Sequence, residues 1–434
     1  MEQSIKKDTS QGEAVGALLI TFLFPFLGLL LSLYYWRKPW AKNVFWMACM
    51  FMGAIQIFHS EGTALGDGAD GGRYVLELMD MHNNVHSFHD VSQYFYDGST
   101  IDVFQPTLTF LVSRFTDNGH VFFFFVALIF GFFYSRNIWY VLDKLPDQLP
   151  RGLWVLILFF LLVCPIWLVN GVRMWTAAHI FAYGAMPYLL EGKKKNLIWC
   201  FLSILVHHSF IFPIITIALF FLLSKRLQRK ESVLTLLFVF YLITLGIKTL
   251  NLESLNSTLQ ILLPNFYENR IDGYVNEDVL ERTIESTAKL SWHVGFFDNI
   301  EYWATQLLIV LSFFNIRRNR KDCEWLIPLF AFALLIYGGA NILSSVPSGG
   351  RYITIARLFM VPVFIFTMSY VPLGKMFKTL LPLCLFLIAF AMIFEIRKGF
   401  DYYGIMLLVG NFISMFFVES NIPLIDYVKQ MFLV

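Results

Sequence analysis

Charge is scarce in this sequence: 33 Lys and Arg and 31 Asp and Glu make up only 15% of 434 residues. Soluble domains usually carry about 25%. So small a supply excludes a soluble enzyme, a nucleic-acid binder and a disordered chain together. Cysteine is scarce as well. Of the five, Cys49, Cys164, Cys200 and Cys384 fall inside apolar runs and Cys323 lies beside a basic cluster, so no disulfide framework is implied. There is no Walker A loop, no G-x-S-x-G and no H-E-x-x-H, which removes the usual nucleotide, serine-hydrolase and zincin chemistries. Internal repeats and low-complexity tracts are also missing.

What the chain does have is apolar surface: 57% hydrophobic and 18% aromatic residues, with a mean hydropathy of +0.61. A bilayer absorbs such surface and a single soluble core does not. Twelve apolar runs of spanning or near-spanning length can be drawn, from Val15–Trp36 to Tyr403–Val418. The first lacks an A-x-A-like cleavage site and reads as a retained span. Phe104–Phe115 is apolar but too short to cross. The expected fold is all-α, a polytopic integral membrane protein with about 11–14 transmembrane or re-entrant helices. Residues 1–434 read as a single membrane domain. Residues 60–118 form an outer loop with amphipathic segments, and residues 251–298 a second outer loop.

The few charges set the orientation, because short cytoplasmic loops collect Lys and Arg. Basic clusters stand at Arg37/Lys38/Lys42, Lys193–Lys195, Lys225–Lys230 and Arg317–Lys321. Residues 60–103 hold eight acidic residues and a single basic one, Arg73, and should lie outside. Clusters flank both ends of the 28-residue run Asn196–Leu223, which one straight crossing would put on opposite sides. A break near His207, with the chain entering and returning, keeps both inside, and such breaks are tolerated where backbone lines a polar cavity. The count that follows gives an outside N-terminus, against which Lys6 and Lys7 argue, and an inside C-terminus.

An ionisable residue within the hydrocarbon costs about 2.5–3.5 kcal/mol and needs a reason. Arg173 follows Asn170-Gly171-Val172 at the outer end of a run, where it either snorkels to the interface or contacts an anion beside helix N-terminal amides. His207 and His208 are adjacent at the expected break, so one could be a general base and the other structural. Arg351 sits in an outer Gly-rich turn with Arg357 six residues on, and guanidinium pairs suit a diphosphate. Asp70 and Arg73 share a Gly-rich stretch beside a span, open to a sugar ligand or simply to a local ion pair. His82, His86 and His89 have i, i+4, i+7 spacing. An amphipathic surface helix explains that spacing more cheaply than zinc, so no metal is expected.

These residues bring a resemblance with them. The stretch NGVRMWTAAHIFAYGAMPYLLEGKKKNLIWCFLSILVHHSFIFPIITIALF (Asn170–Phe220) resembles the EpsG-like family of exopolysaccharide polymerases, relatives of Wzy-type O-antigen polymerases. Arg173 matches an Arg opening a helix, and His208-Ser209 matches a His-Ser pair in an apolar run. Asp70–Tyr74 looks like an Asp-x-x-x-Tyr element, and Ala356-Arg357-Leu358 is similar to a later Arg-bearing span. Met174 stands where the family usually has Gln, and His207 is an additional histidine.

The resemblance implies a fold of the GT-C-like polymerase and ligase class. It also implies polymerisation, outside the bacterial inner membrane, of repeat units carried on undecaprenyl diphosphate, the lipid-linked glycan serving as donor and acceptor. No cofactor is required, since the glycosyl–diphosphate bond supplies the energy. Arg173, Arg351 and Arg357 would hold diphosphate, His208 or His207 would deprotonate the acceptor, and Asp70 with Arg73 would orient it. Expected partners are membrane lipids, a chain-length regulator and a flippase, and no nucleic acid. An O-antigen ligase-type transferase and a lipid-linked oligosaccharide flippase are the alternative readings.

Overall fold

The computed structural model describes residues 2–58, 70–96, 102–229, 231–247, 292–344, 346, 348–417 and 422–432. Most of the second outer loop, residues 251–291, thus lies outside the described residues. Among those described, the chain is helical with no strand. One isolated bridge joins Gln56 and Tyr403. Five of the described segments are long and apolar enough to cross a membrane: Gly119–Leu142, Leu153–Gly171, Glu324–Leu343, Arg351–Tyr370 and Lys375–Tyr402. The protein is an all-α, multi-pass membrane protein.

The helices that matter below are α1 (Glu2–Leu23), α2 (Pro25–Tyr34), α3 (Ala41–Ala54), α4 (Asp70–Asn84), α5 (Phe88–Tyr96) and α6 (Phe104–Ser113). They continue with α7 (Gly119–Leu142), α8 (Leu153–Val163), α9 (Met174–Glu191), α10 (Leu197–Val206), α11 (Ile211–Arg229) and α12 (Glu231–Thr244). After residues 248–291 follow α13 (Trp292–Arg318), α14 (Ile327–Leu343), α15 (Arg351–Tyr370), α16 (Lys375–Tyr402), α17 (Met406–Val409) and α18 (Leu424–Phe432).

One end of the bundle is basic, and its charges are cross-linked there. Arg37 donates to Asp147 at 2.6 Å, joining the α2–α3 turn to the α7–α8 turn. Glu191 at the end of α9 pairs with both Lys144 and Lys193. The hydroxyl of Tyr370, at the end of α15, donates to the carbonyl of Lys144. The helices between are mostly apolar, and helix pairs close on small residues. At the crossing of α3 and α7, for example, Gly53 leaves room for Ala127, since a Cβ there would lie 2.2 Å from that methyl.

The run Asn196–Leu223 is a re-entrant hairpin. His207 is extended (φ −150°, ψ 115°), which stops α10 after ten residues, and α11 then runs back. The ammonium of Lys194, just before α10, stands 5.7 Å from the ring centroid of Phe221 near the end of α11, so both feet of the hairpin share the basic end. The tip with His207 and His208 points away from that end.

Three expectations are corrected. Val15–Trp36 is not one span: Phe24 leaves the helical region, Pro25 opens a second helix, and α2 folds back along α1. Glu13 on α1 reaches Lys38 beyond α2 at 2.7 Å. That brings the start of the chain to the basic end, opposite to the side expected, and in accord with Lys6 and Lys7. Tyr403–Val418 does not cross either. Gly404 and Gly410-Asn411 break it into α17 and a 3₁₀ turn, Phe412 stacks on Phe22, and Leu424 N–H donates to the Tyr403 carbonyl at 2.7 Å. The chain therefore returns to the end where α16 finished, and α18 lies there rather than on the basic end. Finally, His82, His86 and His89 do not share one helix, because α4 ends at Asn84. His82 Nδ1 is bonded to the Ser113 carbonyl, and His86 N–H instead helps cap α5 through Asp90.

Candidate active site

The hairpin tip meets a buried carboxylate that the sequence did not single out, Asp102. Its side chain is fully buried, 0% exposed. Val103 N–H donates to the Leu205 carbonyl at 3.0 Å, which docks the start of α6 against the last turn of α10. Asp102 is thereby aimed at the break. One oxygen, Oδ1, accepts from the backbone N–H of His208 at 2.7 Å and is 2.9 Å from that residue's Nδ1. The other, Oδ2, is 3.2 Å from His207 Nδ1 and accepts from the Arg173 guanidinium at 2.8 Å. The same carboxylate thus caps the helical segment that begins at His208, where the dipole favours negative charge, and ties two histidines and an arginine together.

Burial opposes the charge on Asp102, yet the hydrogen bonds from His207 and His208 outweigh it and hold the carboxyl far below the usual range. For His207, burial is the larger influence and pushes the imidazole below its ordinary value, against the pull of Asp102. An ionised carboxylate only accepts, so both histidines present Nδ1–H to it. In the neutral ring that burial favours at His207, Nε2 carries the lone pair, the form a general base needs.

Arg173 stands at the junction of a 3₁₀ turn (Ile166–Gly171) and α9. Besides Asp102, its Nε donates to the Tyr74 hydroxyl at 3.1 Å, which fixes the guanidinium between α4 and the hairpin. Tyr74 comes one turn after Asp70, and Arg73 pairs with Asp70 at 2.9 Å on the exposed side of α4. A polar cavity of about 210 Å³ opens here. Arg173, Arg351, Asp70 and His207 line it, with the rings of Trp167, Trp175 and Tyr402 completing the wall. Of the two histidines, His207 is the one on the cavity wall. Arg351 opens α15 after the turn through Gly349, and the neighbouring Tyr352 hydroxyl donates to the Ser209 carbonyl at 2.9 Å, binding α15 to the hairpin tip.

The candidate residues therefore fall into two groups. Asp70, Arg73, Arg173, His207, His208 and Arg351 lie on or beside one cavity, although they span almost 300 positions of sequence. Arg357 lies elsewhere: one and a half turns deeper on α15, it forms a partly buried ion pair with Glu301 of α13. Residues that the sequence left unassigned are Asp102, Tyr74 and the aromatic wall. Only Tyr74 carried a signal, as the end of the Asp-x-x-x-Tyr element.

Asp102, His207 and His208 are also the one group among the described residues whose ligand atoms converge, within 4.8 Å of each other, as a metal would need. Their donor set would suit zinc. The carboxylate, however, already holds a guanidinium and a backbone N–H, and the positive Arg173 beside it works against a second cation.

The arrangement can hold an anion beside Arg173 and Arg351, stack a sugar on indole rings, and take a proton on an imidazole. Compared with known proteins, the chain matches the model of the EpsG family over residues 62–406. That stretch contains every residue of the cavity. No curated protein and no solved structure matches the chain.

Proposed function

The chain belongs to the EpsG family, and from that premise we propose that it is a polysaccharide polymerase, a glycosyltransferase that uses a lipid-diphosphate-linked donor outside the cytoplasm. The substrates are oligosaccharide repeat units on undecaprenyl diphosphate, joined into an O-antigen, capsular or exopolysaccharide. The observation that carries this reading is the grouping of two arginines, three aromatic rings and His207, which Asp102 orients, around one cavity.

In the reaction, the acceptor sugar's hydroxyl oxygen forms a bond to the anomeric carbon of the donor glycan. The bond from that carbon to the diphosphate oxygen breaks, and the lipid diphosphate leaves with the electron pair. Arg173 and Arg351 stabilise the negative charge that develops on the leaving group, at a site where water is partly excluded. His207 takes the hydroxyl proton on Nε2, and Asp102 holds the imidazole in that tautomer and stabilises the imidazolium. His208 shares the carboxylate and locks the tip. Trp167, Trp175 and Tyr402 offer flat apolar faces to sugar rings, and Asp70 accepts from sugar hydroxyls.

The distribution of Lys and Arg supports reading the pole opposite the basic end, where the cavity opens, as the outer side. The inner membrane of a bacterium is the compartment this requires. Deletion followed by glycan analysis tests the proposal. Loss of long chains, with single repeat units capping lipid A or accumulating on the carrier, is the expected result. Long chains that form normally but remain unattached would replace the polymerase by a ligase.

A further inference from the structure

A second, roomier cavity lies at the other pole. It measures about 620 Å³ and lies between the feet of the α10–α11 hairpin, the end of α9 and the start of α14. Its walls are apolar and aromatic, with Tyr188, Phe220, Phe221 and Trp325 prominent. Its charged groups are Lys194, Arg320 and the carboxylate of Glu324. Tyr188 packs on both phenylalanines, with centroids 6.5 Å apart, and Lys194 lies over Phe221. Phe221 and Leu222 are 42% and 71% exposed, so the apolar wall continues onto the side of the bundle that faces lipid. Around it the chain is strongly basic, with Lys193 and Lys195 before α10 and Arg317, Arg318 and Lys321 beside Arg320.

We propose that this cavity is a binding site for an anionic phospholipid, with the phosphate at Lys194 and Arg320 and an acyl chain along Phe221 and Leu222. Three features select that ligand. The cations sit at the end of the helices, where headgroups lie. The cavity opens sideways onto apolar helix surface, as an amphiphile requires and a soluble anion does not. And the surrounding positive charge attracts anionic lipid to this end of the bundle.

The lipid would brace the two feet of the hairpin whose tip carries His207 and His208. This second statement, that lipid binding supports activity, rests on the proposed function, whereas the binding itself does not. Binding and activity are therefore measured separately.

The test uses the full chain in vesicles of phosphatidylcholine with increasing phosphatidylglycerol, either lipid being supplied brominated to quench nearby indoles. The fluorescence lost on Trp325→Phe isolates the contribution of Trp325. Its quenching should be at least threefold stronger by brominated phosphatidylglycerol than by brominated phosphatidylcholine. Lys194→Gln with Arg320→Gln should abolish that preference. Ser224→Trp, which fills the cavity and keeps both cations, should also abolish it. Inorganic phosphate at millimolar concentration should leave it unchanged, and displacement by phosphate would overturn the lipid assignment in favour of a soluble anion. Equal quenching by the two lipids, or a preference that survives both variants, would overturn the site. If binding is seen but glycan polymerisation is the same with and without phosphatidylglycerol, the bracing role falls and the site stands.

Discussion

Replacing Asp102 with Asn tests the centre of the argument, because it keeps the shape and removes the charge. Asp102 accepts four hydrogen bonds at 2.7–3.2 Å from His208 (twice), His207 and Arg173. The amide offers one acceptor oxygen, and its NH₂ faces donors. At least one imidazole must then flip or change tautomer, and Arg173 loses its counter-charge. Hydrogen bonds to a charged group contribute about 1.5–3 kcal/mol each, and removing one member of a buried ion pair costs about 3–5 kcal/mol. A folding loss at that level competes with a total stability of about 5–15 kcal/mol, so some of the protein should disappear from the membrane. Misoriented general bases cost on the order of 10²–10⁴ in rate, which is much more than abundance can explain. The assay is complementation of a deletion strain, reading glycan length on gels against the amount of protein in membranes by immunoblot. Asp102→Asn should yield single repeat units or very short chains while retaining a measurable fraction of the protein. Wild-type chain lengths would refute the role of the carboxylate. Activity falling only in proportion to abundance would reduce Asp102 to a structural tie.

Two further outcomes follow from the same geometry. Burial holds His207 below the ordinary imidazole value, so the neutral ring is favoured in the fold. Its contribution to stability is complete above the unfolded value of about 6.5 and is lost as pH falls through the lower folded value. Polymerisation in purified vesicles should accordingly stay level from pH 8 down to about 6.5 and decline only below it; a half-maximum above neutrality would show that His207 is not the base. In the turn before α15, a Cβ on Gly349 would lie 1.7 Å from the Leu343 carbonyl oxygen, whereas one on Gly350 would meet nothing within 4 Å. Gly349→Ala must displace backbone next to Arg351, at about 1–3 kcal/mol, and should shorten the glycan. Gly350→Ala should not, and equal effects from the two would show that the turn does not position Arg351.

Much of the architecture could be read in the sequence because it follows from where a membrane protein can afford charge. Lys193–Lys195 and Lys225–Lys230 at both ends of one apolar run were enough to require a hairpin, and Lys194 over Phe221 shows its two feet together. The same logic was available at the N-terminus, where Lys6 and Lys7 argued for the basic side and Pro25 divides the run. Apolar length alone, the basis for taking Val15–Trp36 as one span, passes over that proline. Tyr403–Val418 misled in a similar way, since hydropathy averages over Gly404, Gly410 and Asn411, the residues that break the helix. Hydropathy reports burial in lipid or protein alike, and does not say whether a chain passes through or turns back.

Site residues divide along a different line. Arg173, His207, His208 and Arg351 stand out individually, because each is polar next to apolar runs. Asp102 does not: it is the last of eight acids in a loop that reads as solvated, and nothing near it in sequence marks it as buried. Its partners are 71, 105 and 106 residues away. Only the docking of Val103 on Leu205 shows that the start of α6 closes over the hairpin tip. Arg357 illustrates the converse. It is as costly in the bilayer as any of the others, but Glu301 compensates it locally, so its intramembrane position alone did not mark it as a ligand contact. The distinguishing property of the site is therefore shared charge. One carboxylate serves two histidines and an arginine beside a polar cavity, whereas Arg357 is paired with Glu301 away from it.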